Sequence, residues 1–319
     1  GSAFIQNRFG PNRVGPLGLT QLIADAVKFL FKEEFLPRKS VAFLYYAAPA
    51  IALTPAGLAL ASLPLSIPID VVQFTIDLPF GLGSIGPLGP YTFLFQGFDL
   101  GIGIVFILGV SSLGAYSLLF AGWGSSNKYS LMGALRASAQ MISYELALGL
   151  SLVGVLLLYG TFNLTEVVEM QRTALTFSWF GETVTVNWLP NWGIFYQPLA
   201  MLLFTVSAFA ESNRLPFDLP EAEGELVAGF HTEYGGFKML MFYMGEYGHM
   251  IVASALICIF WLGGFDIPFV TNEMVKTFWA AKFTTLGTTQ INILTALVFH
   301  VALLAKVAFF LWLFVWIRW

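Results

Sequence analysis

Charged side chains are scarce in this sequence. Only 11% of its 319 residues are Asp, Glu, Lys or Arg, whereas 57% are hydrophobic. A soluble globular protein carries about 25% charged residues, so these groups are too few to cover a water-soluble particle of this size. The composition therefore excludes an ordinary soluble domain, and its abundance of apolar residues excludes a disordered chain. It favours a surface that faces lipid.

Cysteine, histidine and clustered basic residues are also scarce. The single cysteine, Cys258, cannot form an internal disulfide, and one thiol cannot hold an iron–sulfur cluster or a zinc ion, which need about four ligands. The three histidines lack the spacing typical of metal ligands, so we expect no metal in this chain. A net charge of −4 without a long basic run excludes nucleic acid as a partner.

Long apolar runs dominate what is present. A helix needs about 20 consecutive apolar residues to cross a bilayer, and near-continuous hydrophobicity favours helices over barrel strands, which alternate over about ten residues. The sequence therefore predicts an all-α polytopic bundle that forms a single membrane domain over residues 1–319. The six predicted spans are Val41 to Leu63, Leu100 to Trp123, Leu131 to Tyr159, Phe195 to Ala210, Lys238 to Gly264 and Ile291 to Trp316.

The distribution of Lys and Arg between these spans predicts the orientation. Residues 1–40 contain several basic side chains, whereas loop 64–97 contains none. Because basic residues collect on the cytoplasmic side of a membrane, residues 1–40 are expected there. Alternation of the spans from this first loop then places loop 211–238 on the same side. The spans of 41–210 would be joined on the outer side by loops 64–97 and 160–192, and 238–319 would carry the last spans.

Three segments outside the spans have patterns of their own. Residues 16–34 place apolar side chains at helical spacing, which predicts an amphipathic helix at the membrane interface. Residues 176–188 alternate about Gly181, which predicts a hairpin on the outer side. A second structured segment that covers the outer side of the bundle is expected around Ile69 to Phe80.

Four ionisable residues lie inside the predicted spans. They are Arg136, Glu145, Glu246 and Lys306. Each costs at least about 2.5 to 3.5 kcal/mol near the middle of a membrane, and so requires a partner, water or a function. Two interpretations stay open at this point: buried pairs that fix helix packing, and a hydrated path for protons. We favour the proton path.

Loop 211–238 contains a dense group of six further acids. Crowded carboxylates disfavour joint ionisation, so some of them retain protons near neutral pH and respond when a neighbouring charge changes. A simpler explanation is that Pro220 begins a helix whose N-terminal dipole attracts Glu221 and Glu223, but this accounts for only two of the acids. The six acids are Glu211, Asp218, Glu221, Glu223, Glu225 and Glu233.

The resemblance to a known family rests on four segments: RFGPNRVGPLGLTQLIADAVKFLFKEE (8–34), GWGSSNKYSLMGALRASAQMISYELALGL (122–150), AESNRLPFDLPEAEGELVAGFHTEYGGFKMLMFYMGEY (210–247) and FVWIR (314–318). They resemble the quinone-chamber membrane subunit of respiratory complex I, the NADH:quinone oxidoreductase component called H in bacteria and subunit 1 in mitochondria. The resemblance covers most of the chain, except loops 64–97 and 160–192. It also implies an incomplete chain of a family with eight spans, without the first helix and the last segment.

The resemblance implies roles for individual residues. The first loop and the acidic loop would line a tunnel that admits a quinone, ubiquinone or menaquinone, as substrate. A row of acids would link quinone chemistry to proton pumping. The implied tunnel residues are Arg8, Asp25, Arg214, Phe217, Asp218, Glu221, Glu223, Glu225 and Phe230. The implied proton-channel residues are Glu145, Glu211, Glu233, Glu246 and Lys306.

The resemblance also implies partners and a location. Soluble quinone-module subunits would carry the terminal iron–sulfur cluster and deliver electrons, so this chain would not be catalytic by itself. Small and antiporter-like membrane subunits and lipid would surround it, in a bacterial plasma membrane or a mitochondrial inner membrane. Three alternatives remain: the membrane anchor of a related proton-pumping hydrogenase, a ferredoxin:plastoquinone complex, and a stand-alone secondary transporter.

Overall fold

The computed structural model describes residues 3, 6–18, 20–71, 74–77, 84–88, 91–179, 182–213, 217, 227, 229–283 and 287–318. Within these ranges the chain is mainly helical. The helices are α1 (Gln21–Phe31), α2 (Ala42–Ser62), α3 (Gly103–Ser111), α4 (Leu113–Gly124), α5 (Lys128–Tyr159), α6 (Leu164–Gln171), α7 (Gly193–Tyr196), α8 (Pro198–Glu211), α9 (Gly236–Trp261), α10 (Asn272–Lys282) and α11 (Thr288–Arg318). The strands are β1 (Ile69–Val71), β2 (Phe74–Asp77), β3 (Ser84–Leu88), β4 (Tyr91–Phe93), β5 (Ala174–Trp179) and β6 (Glu182–Pro190).

The predicted helical bundle is confirmed. Among the described residues, five helical stretches are long and apolar enough to cross a membrane: α2, the consecutive α3 and α4, α5, α9 and α11. The fourth predicted span, Phe195 to Ala210, is instead divided between α7 and α8. The helix is interrupted at Gln197, whose φ of −137° and ψ of 59° are not helical, because the proline that follows disfavours the α conformation of the residue before it. The resulting α8 has only 14 residues.

Small residues bring the central helices together. A Cβ atom added at Gly245 of α9 would lie 2.7 Å from Ala52 O of α2, and one at Gly248 would lie 2.7 Å from Ala56 Cβ. Helices that lie in lipid gain little from hydrophobic burial against each other, so they associate through close van der Waals packing of this kind. Helix α9 is accordingly the most buried of the five candidate spans.

The connections contain strands and short helices. Strands β5 and β6 pair antiparallel, as the alternation in 176–188 predicts, although Gly181 itself lies outside the described residues. In loop 64–97, β1 pairs with β4 and β2 with β3. Helix α10 was not predicted from the sequence. Two signals of a helix start are nevertheless present: Thr271 accepts a hydrogen bond from Met274 N, and Glu273 lies in the first turn.

The predicted amphipathic segment 16–34 forms a short 3-10 turn and then α1. Its apolar side chains are left uncovered, with Ile23, Leu30 and Phe31 64%, 55% and 85% exposed. Exposed side chains of this size suit contact with lipid or a partner rather than water.

Gly133 of α5 packs so closely on a neighbouring backbone that a larger side chain should destabilise the protein. A Cβ atom there would lie 2.8 Å from both Gly229 Cα and Phe230 N, which belong to the backbone of the adjacent turn. We expect Gly133→Ala to lower stability by about 1 to 3 kcal/mol through overpacking, measured as a lower thermal unfolding temperature and less protein in membranes. Gly149→Ala in the same helix is the matched control, because no atom of the described residues lies within 4 Å of that Cβ position. An equal loss in both variants would contradict the explanation.

Candidate functional site

Two small cavities lie inside the bundle, next to the end of α8 and the middle of α9. Their volumes are about 30 Å³ and about 20 Å³. Glu211, at the end of α8, lines both, and so does His249 of α9. Glu246, one turn before His249, and Asn213, just after α8, line the larger one. The end of α8 and the first half of α9 thus bring two carboxylates, an imidazole and an amide to one small space.

A third carboxylate lies next to this group. Glu145 of α5 is near enough to Glu211 for the two charges to act on each other. Helices α5 and α8 are held together here because Gln140 Nε2 donates to Ala210 O at 2.8 Å and to Phe217 O at 3.0 Å. The structure therefore brings together three of the five predicted channel residues, and each of them retains some surface outside the apolar core.

Glu233 lies at the end of the bundle where α2, α5 and α9 begin. Asn127 Nδ2 donates to Glu233 Oε1 at 2.6 Å, and Tyr45 OH donates to Glu233 O at 2.8 Å. Asn127 also caps α5 by accepting from Tyr129 N at 3.0 Å. We call this region the Glu233 end. The ring of Tyr234 stacks on that of Tyr45 with centroids 4.4 Å apart, so the residues around Glu233 fix the starts of two helices.

Lys306 lies at the opposite end, where α9 finishes, which we call the Lys306 end. Its Nζ donates to Leu262 O at 2.7 Å, Gly264 O at 2.9 Å and Asp266 O at 2.6 Å. These carbonyls follow the last turn of α9, where a positive charge is favoured by the helix dipole. The described contacts of Lys306 thus connect α11 to the end of α9.

A buried ion pair adjoins Lys306. Arg172 Nε donates to Asp266 Oδ1 at 3.2 Å, and its Nη2 donates to Asn272 Oδ1 at 2.6 Å. Burial raises the pKa of Asp266 above its usual range, while Arg172 and Lys306 act in the opposite direction by favouring the ionised carboxylate. The cluster ties α6, the segment after α9 and α10 together.

The predicted tunnel residues fall into three groups. Phe217 lines an apolar groove of about 580 Å³ between α8 and α11 and packs edge to face on Tyr144, with ring centroids 5.4 Å apart. Phe230 is fully buried against Phe242. Arg8 and Asp25 are exposed, and their described side-chain bonds are to neighbours in the same segment. The rest lie outside the described residues: Arg214, Asp218, Glu221, Glu223 and Glu225.

His249 and Asn213 were missed as site residues. A single histidine in an apolar run carries no recognisable spacing, and an asparagine beside an arginine in a loop suggests only a turn. Asn213 has a positive φ of 49°, a conformation in which asparagine is enriched. The only sequence signal for His249 is that it falls three residues after Glu246 and so shares a helix face with it.

Comparison with known proteins identifies the family. The family model described as NADH dehydrogenase matches residues 1–319. The chain is 61% identical, over its full length and 80% of the relative, to the H subunit of the NADH-quinone oxidoreductase of Bdellovibrio bacteriovorus. It is 40% identical, over its full length and 80% of the relative, to NADH-quinone oxidoreductase subunit 8 of Rhodothermus marinus. The predicted resemblance is confirmed, and the chain belongs to the NADH dehydrogenase family of membrane subunits.

Proposed function

We propose that this chain is the membrane subunit of a proton-pumping NADH:quinone oxidoreductase that contributes the quinone access tunnel and couples quinone reduction to proton translocation. The observation that carries the proposal is that Glu211 and Glu246 line a small cavity inside an apolar bundle, with Glu145 close enough to Glu211 for their charges to interact. Ionisable groups are expensive in such a place, so a set of three indicates a function rather than chance.

Charge supplies the coupling mechanism. Reduction of a quinone creates anionic oxygens that demand protons, and this change in charge alters the proton occupancy of nearby carboxylates. The acids of loop 211–238 would respond first, since Glu211 is both the first residue of that loop and a wall of the cavities. Proton affinity would then change successively at Glu211, Glu145 and Glu246.

The start of the acidic loop is mechanically tied to the helix that carries Glu145. Gln140 Nε2 binds carbonyls on either side of the loop's beginning, at Ala210 and Phe217. A shift of the loop on quinone binding would therefore be felt by α5 about one turn before Glu145. Such a connection supports coupling through loop position as well as through charge.

The proposed tunnel combines apolar walls with a polar gate. Arg8, Asp25 and the acids and arginine of the loop would supply the gate, and aromatic side chains such as Phe217 the walls. Soluble subunits with the terminal iron–sulfur cluster would deliver the electrons, and antiporter-like membrane subunits would receive the effect. We propose the Glu233 end as the side that faces the soluble subunits, because Arg38 and Lys39 line one pocket with Glu233 and basic residues collect on the cytoplasmic side of a membrane.

Substitutions in the loop test this function. In the assembled enzyme, Glu225→Gln or Asp218→Asn should lower NADH:quinone turnover about tenfold. This is less than the roughly 100-fold that a single positioned proton-transfer group contributes, because several acids of the loop share the role. Electron transfer from NADH to a soluble artificial acceptor should be unchanged, because that path does not use the quinone. Glu273→Gln, at a 79% exposed side chain on α10, is the control. Normal quinone turnover and pumping in both loop variants would refute the proposal.

A further inference from the structure

The imidazole of His249 carries a polar atom with an unexplained environment. Its Nε2 has no solvent-accessible surface and no hydrogen-bond partner among the described residues. The large majority of buried polar atoms in proteins are paired with protein groups or with ordered water, and an unpaired one is costly. We therefore expect a hydrogen-bonding group to lie next to this nitrogen.

The same cavity has a second buried atom of this kind. Asn213 Oδ1 is buried and has no hydrogen-bond partner in the described part of the chain. The Nδ2 of the same amide donates to Met141 Sδ at 4.0 Å. Both His249 and Asn213 line the cavity of about 30 Å³ beside Glu211 and Glu246. A space of this size accommodates one or two water molecules, and polar walls distinguish a wet cavity from a dry one.

We propose that His249 and Asn213 bind ordered water in these two cavities and that this water joins Glu211 to Glu246 by hydrogen bonds. His249 and Glu211 are the two residues that line both cavities. His249 could therefore bind water in either cavity and connect the two. It acts as a positioning residue, since Nε2 orients the water. The role in proton movement rests on the function proposed for this chain; the binding of water does not.

The proton transfer balances without any further reactant. A protonated Glu246 gives its proton to the adjacent water, and that water gives one of its own to the ionised Glu211. One O–H bond breaks and one forms at each step, and a single proton has moved between the two carboxyl groups. No electron is transferred, so no oxidant or reductant is needed.

Gly114 of α4 offers a way to remove the water without removing a polar residue. This glycine lines the larger cavity. A Cβ atom there would lie 3.6 Å from His249 Nε2 and 3.4 Å from Met141 Cε, which are ordinary van der Waals distances. The methyl group of Gly114→Ala therefore fits, and it occupies space next to the nitrogen. Gly109→Ala in the preceding helix α3 is the matched control, because its Cβ position has no neighbour within 4 Å in the part of the chain that the structure describes.

The experiment compares these variants in the assembled enzyme. A high-resolution map of the wild-type enzyme should show water within hydrogen-bond distance of His249 Nε2, and the map of Gly114→Ala should not. Proton pumping per quinone reduced should fall about tenfold in Gly114→Ala and remain unchanged in Gly109→Ala. Wild-type density without water at this nitrogen would overturn the proposal whatever the activity.

Substitution of the histidine separates hydrogen bonding from packing. His249→Gln keeps a polar side chain and should retain pumping within about twofold, whereas His249→Leu fills similar space without a polar atom and should lose about tenfold. Equal pumping in wild type, His249→Leu and Gly114→Ala would refute the part in proton transfer. The water density also distinguishes this result from failure of the proposed function: if Glu211→Gln pumps normally while the water is present, only the function fails.

Discussion

Glu211→Gln in the assembled enzyme is expected to lower quinone-linked turnover and proton pumping by about 100-fold, the lower range of what a positioned proton-transfer group contributes. Glutamine has nearly the same shape as glutamate but cannot release or accept a proton at neutral pH. Glu211 lines both small cavities and adjoins Glu145, so no other acid in the described residues is placed to replace it at that point.

The measurement separates proton coupling from electron delivery. NADH oxidation with a soluble artificial acceptor should stay normal in Glu211→Gln, while NADH:quinone activity and the proton gradient in reconstituted vesicles fall. Glu145→Gln should act in the same direction. Glu169→Gln is a suitable control, because its carboxylate is half exposed in the ion pair with Arg172. Assembly with full pumping in both channel variants would restore the interpretation that the acids only fix helix packing.

The sequence predicts the spans well because lipid imposes a simple rule. A segment in hydrocarbon must satisfy its own backbone hydrogen bonds, so a long apolar run forms a helix whatever its neighbours are. The rule fails at Phe195 to Ala210, where composition is uniform but Pro198 divides the run. It is silent about α10, which is too short and too polar to resemble a span and is recognisable only through its N-terminal cap at Thr271.

The site is harder to predict because its members are distant in sequence. Glu145, Glu211 and Glu246 lie on three different helices, and the cost of a charge in lipid says that each needs a reason but not which residues meet. The resemblance to complex I placed them in one row. It gave no indication of His249 or Asn213, since their importance comes from atoms that face a cavity, and a cavity has no sequence pattern.

The partners of Lys306 could not be predicted from the sequence either. A lysine within a span predicts either an acidic partner or a proton path, and both interpretations were open from the sequence. In the structure its Nζ meets the carbonyls of Leu262, Gly264 and Asp266. Backbone carbonyls at a helix end are strong acceptors, but every residue type carries one, so no residue pattern could reveal them as the partners.

Lys306→Met is therefore expected to destabilise the protein by about 4.5 kcal/mol or more, because a hydrogen bond to a charged group contributes at least about 1.5 kcal/mol and three would be lost. Methionine retains much of the apolar stem and adds no charge, so the change isolates the ammonium group. The carbonyls that follow α9 would lose their donor, and the contact between α9 and α11 would loosen. Thermal unfolding of the purified enzyme should show the loss as a lower midpoint temperature.

A second lysine and a second substitution make this result decisive. Lys276→Met removes a cation whose described bond is to the exposed Glu273 at 3.4 Å, and such surface pairs contribute at most about 1 kcal/mol, so its unfolding midpoint should barely change. Lys306→Arg keeps the charge and several donors and should recover part of the stability. Because capping acts on folding, Lys306→Met should lower stability and activity together. Unchanged unfolding with abolished pumping would instead assign Lys306 to the proton path.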